Sequence, residues 1–218
     1  MLKTLQQFSA FDLTAAHWLD VGCGSGGIAG ALANGVTHLT GLDPQPWPQW
    51  AELMKEHSNL RLMQGGYDTD ALAPGSIDVV ICNQVYEHVP DPVKLIRFIH
   101  TVLRPGGIAY FAGPNLLFPI EPHTLWPFVH WLPRRIAVGV MRACGSHKIL
   151  DANSASYWKL RTWLTGFKVI NAVPYILRHP AEFGRSSLAW RSVAIIPAPA
   201  LDTLTFLSPG FVFVLIKH

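Results

Sequence analysis

The stretch Trp18-Leu19-Asp20-Val21-Gly22-Cys23-Gly24-Ser25-Gly26-Gly27 decides the fold of this chain. Its apolar lead into Asp20 has the composition of a buried strand. The glycines that follow let the backbone turn tightly, so that a ligand can lie against it before a helix begins. Sixteen residues after Gly27 stands Asp43, which closes a second short apolar run, Thr40-Gly41-Leu42. A carboxylate there can accept hydrogen bonds from both hydroxyls of a ribose. The dinucleotide fingerprint is Gly-x-Gly-x-x-Gly, in which the third glycine allows close helix packing beside a pyrophosphate. Here the order is Asp-x-Gly-x-Gly-x-Gly. An acid two residues before the first glycine repels a pyrophosphate and suits a ligand that carries an ammonium group.

In this pattern the chain resembles the class I, Rossmann-like S-adenosylmethionine-dependent methyltransferases, in particular the methyltransferase type 11 and ubiquinone/menaquinone-biosynthesis-like group. The turn Leu103-Arg104-Pro105-Gly106-Gly107 is a further mark of that family, and the resemblance covers residues 17 to 115 in matching order and spacing. It implies an α/β fold: a seven-stranded, mostly parallel sheet with helices on both faces, an antiparallel last strand and a lid insertion after strand 5. It also implies S-adenosylmethionine as cofactor. Asp20 is then placed for the methionine ammonium, with turn capping as its plainer alternative. Gly22, Cys23 and Gly24 supply close backbone approach, and Asp43, before Pro44, holds the ribose or caps a helix. In Gly65-Gly66-Tyr67-Asp68, either Tyr67 or Asp68 meets the adenine, or the segment is a plain turn. Asn83 and Gln84 line the cofactor, and Glu87-His88 matches the family's Glu-His pair after strand 4. That pair either orders the loop beside the methionine moiety or supplies His88 as an acid-base group.

The rest of the chain sorts by periodicity and punctuation. Residues 1 to 16 fit one short leading helix. Strands are expected at about 17–21, 39–43, 60–64, 77–83, 108–111, 166–170 and 211–216, and helices at 26–35, 49–57, 136–144 and 154–164. Asp91 caps a further helix with Pro92 at its first position, its buried face marked by Val93, Ile96, Ile99, Val102 and Leu103 and its end by Arg104-Pro105-Gly106-Gly107. Alternating strands and helices imply parallel pairing. Residues 171–207 form an apolar, proline-punctuated excursion. The length fits a single domain, 1–218, with residues 115–150 as an acceptor-binding lid.

Hydrophobic residues make up 50% of the chain and charged ones only 14%, where about 25% charged is usual. The excess follows residue 115. It points to a lipophilic acceptor, a peripheral membrane contact or a homodimer interface. With a net charge of +3 and basic residues scattered apart from Arg134-Arg135, no nucleic-acid partner is expected. Three cysteines, Cys23, Cys82 and Cys144, suggest neither disulfides nor a zinc cluster, no metal ligands are assigned, and a reducing cytoplasm fits best. A signal peptide is not expected from the opening residues, which Gln6, Gln7 and Asp12 interrupt, and with no run of eighteen uninterrupted apolar residues in this sequence a spanning segment is not expected either.

The segment Pro114 to Phe128 follows strand 5 directly, where a loop opens over the transferable methyl group. Glu121 and His123 are its only ionisable residues. His123 can deprotonate an acceptor hydroxyl while Glu121 orients it; alternatively His123 is buried and fixes the loop. Trp126, Phe128, Trp131 and Leu132 form the core of the lid, an apolar acceptor pocket or a surface patch. The expected reaction is O-methylation of a small lipophilic, glycan or lipid-linked acceptor. Transfer to carbon or nitrogen, or a silent cofactor-binding subunit, are the alternatives.

Overall fold

The apolar runs pair into one sheet. In the computed structural model, which describes residues 1–150, 152–185 and 187–218, its strands are β1 (His17–Val21), β2 (His38–Asp43), β3 (Leu60–Gln64), β4 (Ile77–Asn83), β5 (Leu103–Pro114), β6 (Phe167–Asn171) and β7 (Gly210–Lys217). They lie in the order β3-β2-β1-β4-β5-β7-β6. The first five are parallel, and β7 runs antiparallel between β5 and β6. Strand order reverses between β1 and β4, which are hydrogen-bonded from Trp18–Val79 to Val21–Cys82. A crevice is therefore expected at their carboxyl ends.

Strand alternation builds two apolar layers. Val80 and Cys82 of β4 face one layer, with Leu95, Ile96 and Ile99 of helix α4 (Pro92–Val102). Val79 and Ile81 face the other, with Leu5 of α1 (Leu2–Phe8), Ala29 and Ala33 of α2 (Gly27–Ala33) and Trp50 of α3 (Trp50–Glu56). The cap of α4 is as expected, since Asp91 Oδ1 accepts from the Lys94 amide at 3.0 Å and Pro92 opens the helix.

Several boundaries differ from expectation. The leading helix ends at Phe8. Arg104-Pro105-Gly106-Gly107 does not lie outside the strand: β5 begins at Leu103, which pairs with Ile77, and the register slips before Val79 pairs with Ile108. A bulge thus absorbs a turn-like sequence, with Gly106 at φ +74°. β5 also runs on to Pro114, because β7 pairs with it as far as Gly210. The excursion at 171–207 contains further helices.

After β5, a small satellite core of Val129, Ala137, Met141 and Leu150, backed by Trp126, holds a segment that includes α5 (Arg134–Ala143). α6 (Tyr157–Trp163) then leads into β6. α7 (Val173–Arg178), α8 (Leu188–Ala194) and α9 (Ala198–Leu204) make up the excursion, where α7 packs against both of the others. Among the described residues, no helix is long and apolar enough to cross a membrane.

Candidate active site

The glycine loop leaves β1 through three left-handed residues, Gly22, Gly24 and Gly26, at φ +70°, +51° and +86°. Side chains rarely adopt this conformation, which explains the residue type. The Gly22 and Cys23 amides donate to the Leu42 carbonyl at 2.7 and 3.1 Å, and the Trp50 indole N–H donates to the Gly24 carbonyl at 2.8 Å. The Asp43 carboxylate completes the clip. It accepts from the Gly24 amide at 2.9 Å and from the Gln45 amide at 2.9 Å. The expectation that Asp43 also caps a helix is corrected: the next helix begins only at Trp50, and the side chain caps a turn instead. Each carboxylate oxygen has a second lone pair, so both remain able to accept from a diol.

Between the ends of β1, β2 and β4 lies a cleft of about 440 Å³. Of the residues singled out from the sequence, Gly22, Asp43, Pro44, Tyr67, Asp68, Gln84 and His88 line it, and Asp20, Cys23, Gly24, Asn83, Glu87, Glu121 and His123 do not. Leu42, Val85 and Val89 add apolar walls that the sequence reading did not single out. The signal for Val85 and Val89 is that these two valines frame Glu87-His88 in the sequence. Gln84 is held at φ +58° with its amide on the Ala112 carbonyl at 2.8 Å. A left-handed non-glycine residue is strained, and this strain turns the chain over the cleft. A β-carbon on Gly22 would come within 2.7 Å of Val85, so the glycine is also what lets this loop close on the first.

Asp20 is 2% exposed, and its Oδ2 has no hydrogen-bond partner. Burial, reinforced by the charge of Asp43, raises its pKa to about 7. The same burial, with Asp20 and Asp43 nearby, pushes the Cys23 thiol up to about 12, which removes it as a nucleophile. An unpartnered buried carboxylate next to a glycine cradle fits a cationic amino-acid moiety.

A second polar group gathers where the loops after β4 and β5 meet. Glu87 is fully buried, and neither carboxylate oxygen makes a hydrogen bond. The Nε2 atoms of His88 and His123 lie 3.9 and 3.8 Å from Glu87 Oε1. Burial raises the pKa of Glu87 to about 7, against the lowering influence of its own nearby backbone amide, which is not within hydrogen-bond geometry, and of His123. His123 Nδ1 is 2.9 Å from Glu121 Oε1, and Glu121, itself buried, also accepts from the Thr124 amide. Although burial works against it, those bonds hold the Glu121 carboxyl below its usual value. The imidazole of His123 is not buried, contrary to one of its two expected roles: its side chain is 30% exposed. Of the large apolar residues singled out after β5, Trp126 packs on the satellite core while Phe128, Trp131 and Leu132 are exposed.

The strand order, the glycine loop at the end of β1 and the acid at the end of β2 define a Rossmann-like cofactor-binding domain. Residues 19–111 match the family model of the methyltransferase domain, and the fold is that of the class I S-adenosylmethionine-dependent methyltransferases. It is 36% identical over 109 residues to the ubiquinone biosynthesis O-methyltransferase of Xanthomonas campestris, covering 47% of this chain and 45% of that protein. The chain thus spans under half the length of that relative. The fold is similar to an S-adenosylmethionine-dependent methyltransferase from Mesorhizobium loti (TM-score 0.62, 16% identity, 95% and 93% of the two chains). It also resembles a Haemonchus contortus phosphoethanolamine N-methyltransferase bound to S-adenosylhomocysteine (TM-score 0.60, 19% identity, 99% of this chain and 52% of that one).

Proposed function

We propose that this chain transfers the methyl group of S-adenosylmethionine to an oxygen of a small lipophilic or lipid-linked acceptor. The observation that carries the cofactor half is the buried, unpartnered Asp20 carboxylate beside a left-handed glycine loop whose neighbour, Asp43, keeps free lone pairs at a cleft. Asp20 holds the ammonium, Asp43 the ribose diol, and Tyr67 or Asp68 with the apolar Leu42 and Val89 the purine. The sulfonium supplies an activated methyl group when the cofactor is bound. The chain's task is to seat an acceptor oxygen in line with the carbon–sulfur bond and to exclude water. Glu87, His88 and His123 are the polar groups beside which that oxygen sits, and the O-methyltransferase name of the sequence relative favours oxygen over carbon or nitrogen. Calorimetry tests the cofactor assignment. S-adenosylhomocysteine is expected to bind, and Asp43→Ala to weaken it at least tenfold, through loss of the diol contacts and of the clip on Gly24. If the wild type does not bind, the cofactor reading fails; binding without methylation of any lipid extract favours a silent subunit.

The lipid half rests on residues 122–150, which contain Arg134, Arg135, Arg142 and Lys148 and no Asp or Glu. Exposed among these cations are Leu125, Phe128, Trp131, Leu132, Ile136, Val140 and Ile149. A basic surface studded with aromatic and aliphatic side chains suits an anionic membrane, each cation contributing about 1 kcal/mol near it. The protein is expected to float with phosphatidylglycerol vesicles but not with neutral ones. Reversing Arg134, Arg135 and Arg142 to Glu would cut the bound fraction by roughly two orders of magnitude; flotation indifferent to lipid charge would sink the idea.

A further inference from the structure

We propose that Glu87, His88 and His123 bind a divalent transition-metal ion, with an open coordination position for the acceptor oxygen. The proposal rests on the methyltransferase reading for the purpose of the site but not for its existence. Buried polar groups are almost always satisfied, and a buried carboxylate without a donor is costly. Glu87 nevertheless offers both oxygens to no hydrogen bond. Among the described residues no lysine or arginine pairs with it, and what faces it are two imidazole nitrogens at 3.8 and 3.9 Å. Those separations are too long for hydrogen bonds.

The orientation of His123 points the same way. Glu121, ionised, can only accept, so at 2.9 Å from Nδ1 it fixes the tautomer with the proton on Nδ1. That leaves the Nε2 lone pair directed at Glu87. A carboxylate holding one ring nitrogen while the other is free to ligate is the usual arrangement around metal-bound histidine. A histidine acting only as a structural prop has no need of it. One ligand atom each from Glu87, His88 and His123 lies within 4.8 Å of the others. A tetrahedral ion with bonds of about 2.0–2.1 Å needs its ligands about 3.4 Å apart. Closing that gap takes rotation of His88 and His123, whose side chains are 39% and 30% exposed, while Glu87 is anchored by Asn153, whose amide donates to its carbonyl at 2.7 Å.

Two imidazoles and a carboxylate select a borderline ion of the zinc class over magnesium or calcium, and three protein ligands with a vacancy suit a reactive site. His88 also lines the cofactor cleft, so the vacancy adjoins the methyl donor. An acceptor hydroxyl bound there loses its proton to water. Its oxygen then forms the new O–CH3 bond as the S–CH3 pair returns to sulfur, turning the sulfonium into a thioether.

The test uses tag-free protein stripped with a chelator and titrated with zinc in the absence of cofactor. One ion per chain is expected, with magnesium unable to compete. His123→Ala and Glu87→Gln should each weaken zinc binding at least a hundredfold, and Glu121→Gln, which only loosens His123, about tenfold. Circular dichroism and S-adenosylhomocysteine titration of each variant show that fold and cleft survive, which keeps failure here separate from failure of the methyltransferase reading. Should a variant fail to fold, His88→Ala, on an exposed side chain, carries the test. Wild-type protein that takes up no stoichiometric zinc, that binds magnesium equally well, or that binds zinc unchanged in folded variants overturns the proposal.

Discussion

Asp20→Asn is expected to raise the melting temperature of the free protein above pH 7 while removing most of its affinity for S-adenosylhomocysteine. The folded-state pKa of Asp20 is raised to about 7, against about 4 for an unfolded aspartate. The folded protein therefore binds the proton more tightly than the unfolded chain does. The associated stability is full below about pH 4 and is lost as pH rises to about 7, after which it stays lost. Three pH units correspond to a cost on the order of 4 kcal/mol at pH 8. An asparagine does not ionise and escapes most of this. For a chain of this length that amounts to several degrees in melting temperature at pH 8 and almost nothing at pH 4.

Binding runs the other way. The ammonium of the ligand pairs with the carboxylate, so the wild type must release a proton from Asp20 to bind below pH 7. Its affinity is then expected to fall about tenfold per pH unit there. The variant should bind roughly 100-fold more weakly at pH 8, the size of a charge-assisted hydrogen bond, with a flat pH profile. Titration calorimetry at pH 6 and 8 and a thermal melt decide the matter. Wild-type affinity independent of pH, or unchanged in the variant, would remove Asp20 from the ammonium site.

The second large effect is expected of Gly113→Ala. Gly113 sits on β5 opposite Phe211. A β-carbon there would lie 2.7 Å from Tyr86 Cδ1, closer still to the adjacent ring carbon, and 3.3 Å from Glu87 Oε2. The tyrosine has nowhere to go. It is fully buried, its ring stacks on Phe111 at 5.7 Å, and its hydroxyl donates to the Pro114 carbonyl while accepting from the Ala155 amide at 3.2 Å. Overpacking of this kind costs about 3 kcal/mol, or roughly 6–12 °C in a chain of this length. Denaturant melts should show it, with partial recovery in Gly113→Ala/Tyr86→Leu, which shortens the obstructing side chain. A melting point within a degree or two of the wild type would mean that the Tyr86 environment is far more compliant than its bonds indicate.

The parts of this molecule that could be read from the chain are those whose partners are close in sequence. Asp20, the glycines and Asp43 declare themselves because strand, turn and acid follow one another at fixed spacing. The valine-rich strands declare their burial by composition. Other features depend on where distant segments return. Glu87 and His123 are 36 residues apart, and only the closing of one loop over another brings them together. Likewise Tyr86 gives no hint that it will need a glycine at position 113. Proline misled in the 171–207 excursion, where Pro174 and Pro199 fall in the first turns of helices, a position in which a missing amide costs nothing. The Pro105-Gly106-Gly107 sequence misled for a related reason, since pairing with a neighbouring strand overrode a local preference for turning.

Among the described residues, the antiparallel β7 is the strand that ties β6 into the sheet by hydrogen bonds. Among the described strands β6 is hydrogen-bonded to β7 alone, and β5 has β7 as its outer neighbour. Until residues 210–217 arrive, the apolar backbone of β5 from Ile108 to Gly113 is an open template, and β6 has nothing to pair with. A chain held at that stage, on a ribosome or after partial unfolding, offers a long unsatisfied edge to other copies of itself. Its yield in a cell therefore depends on how quickly the last strand is delivered, and a chaperone that shields β5 during that interval would improve it.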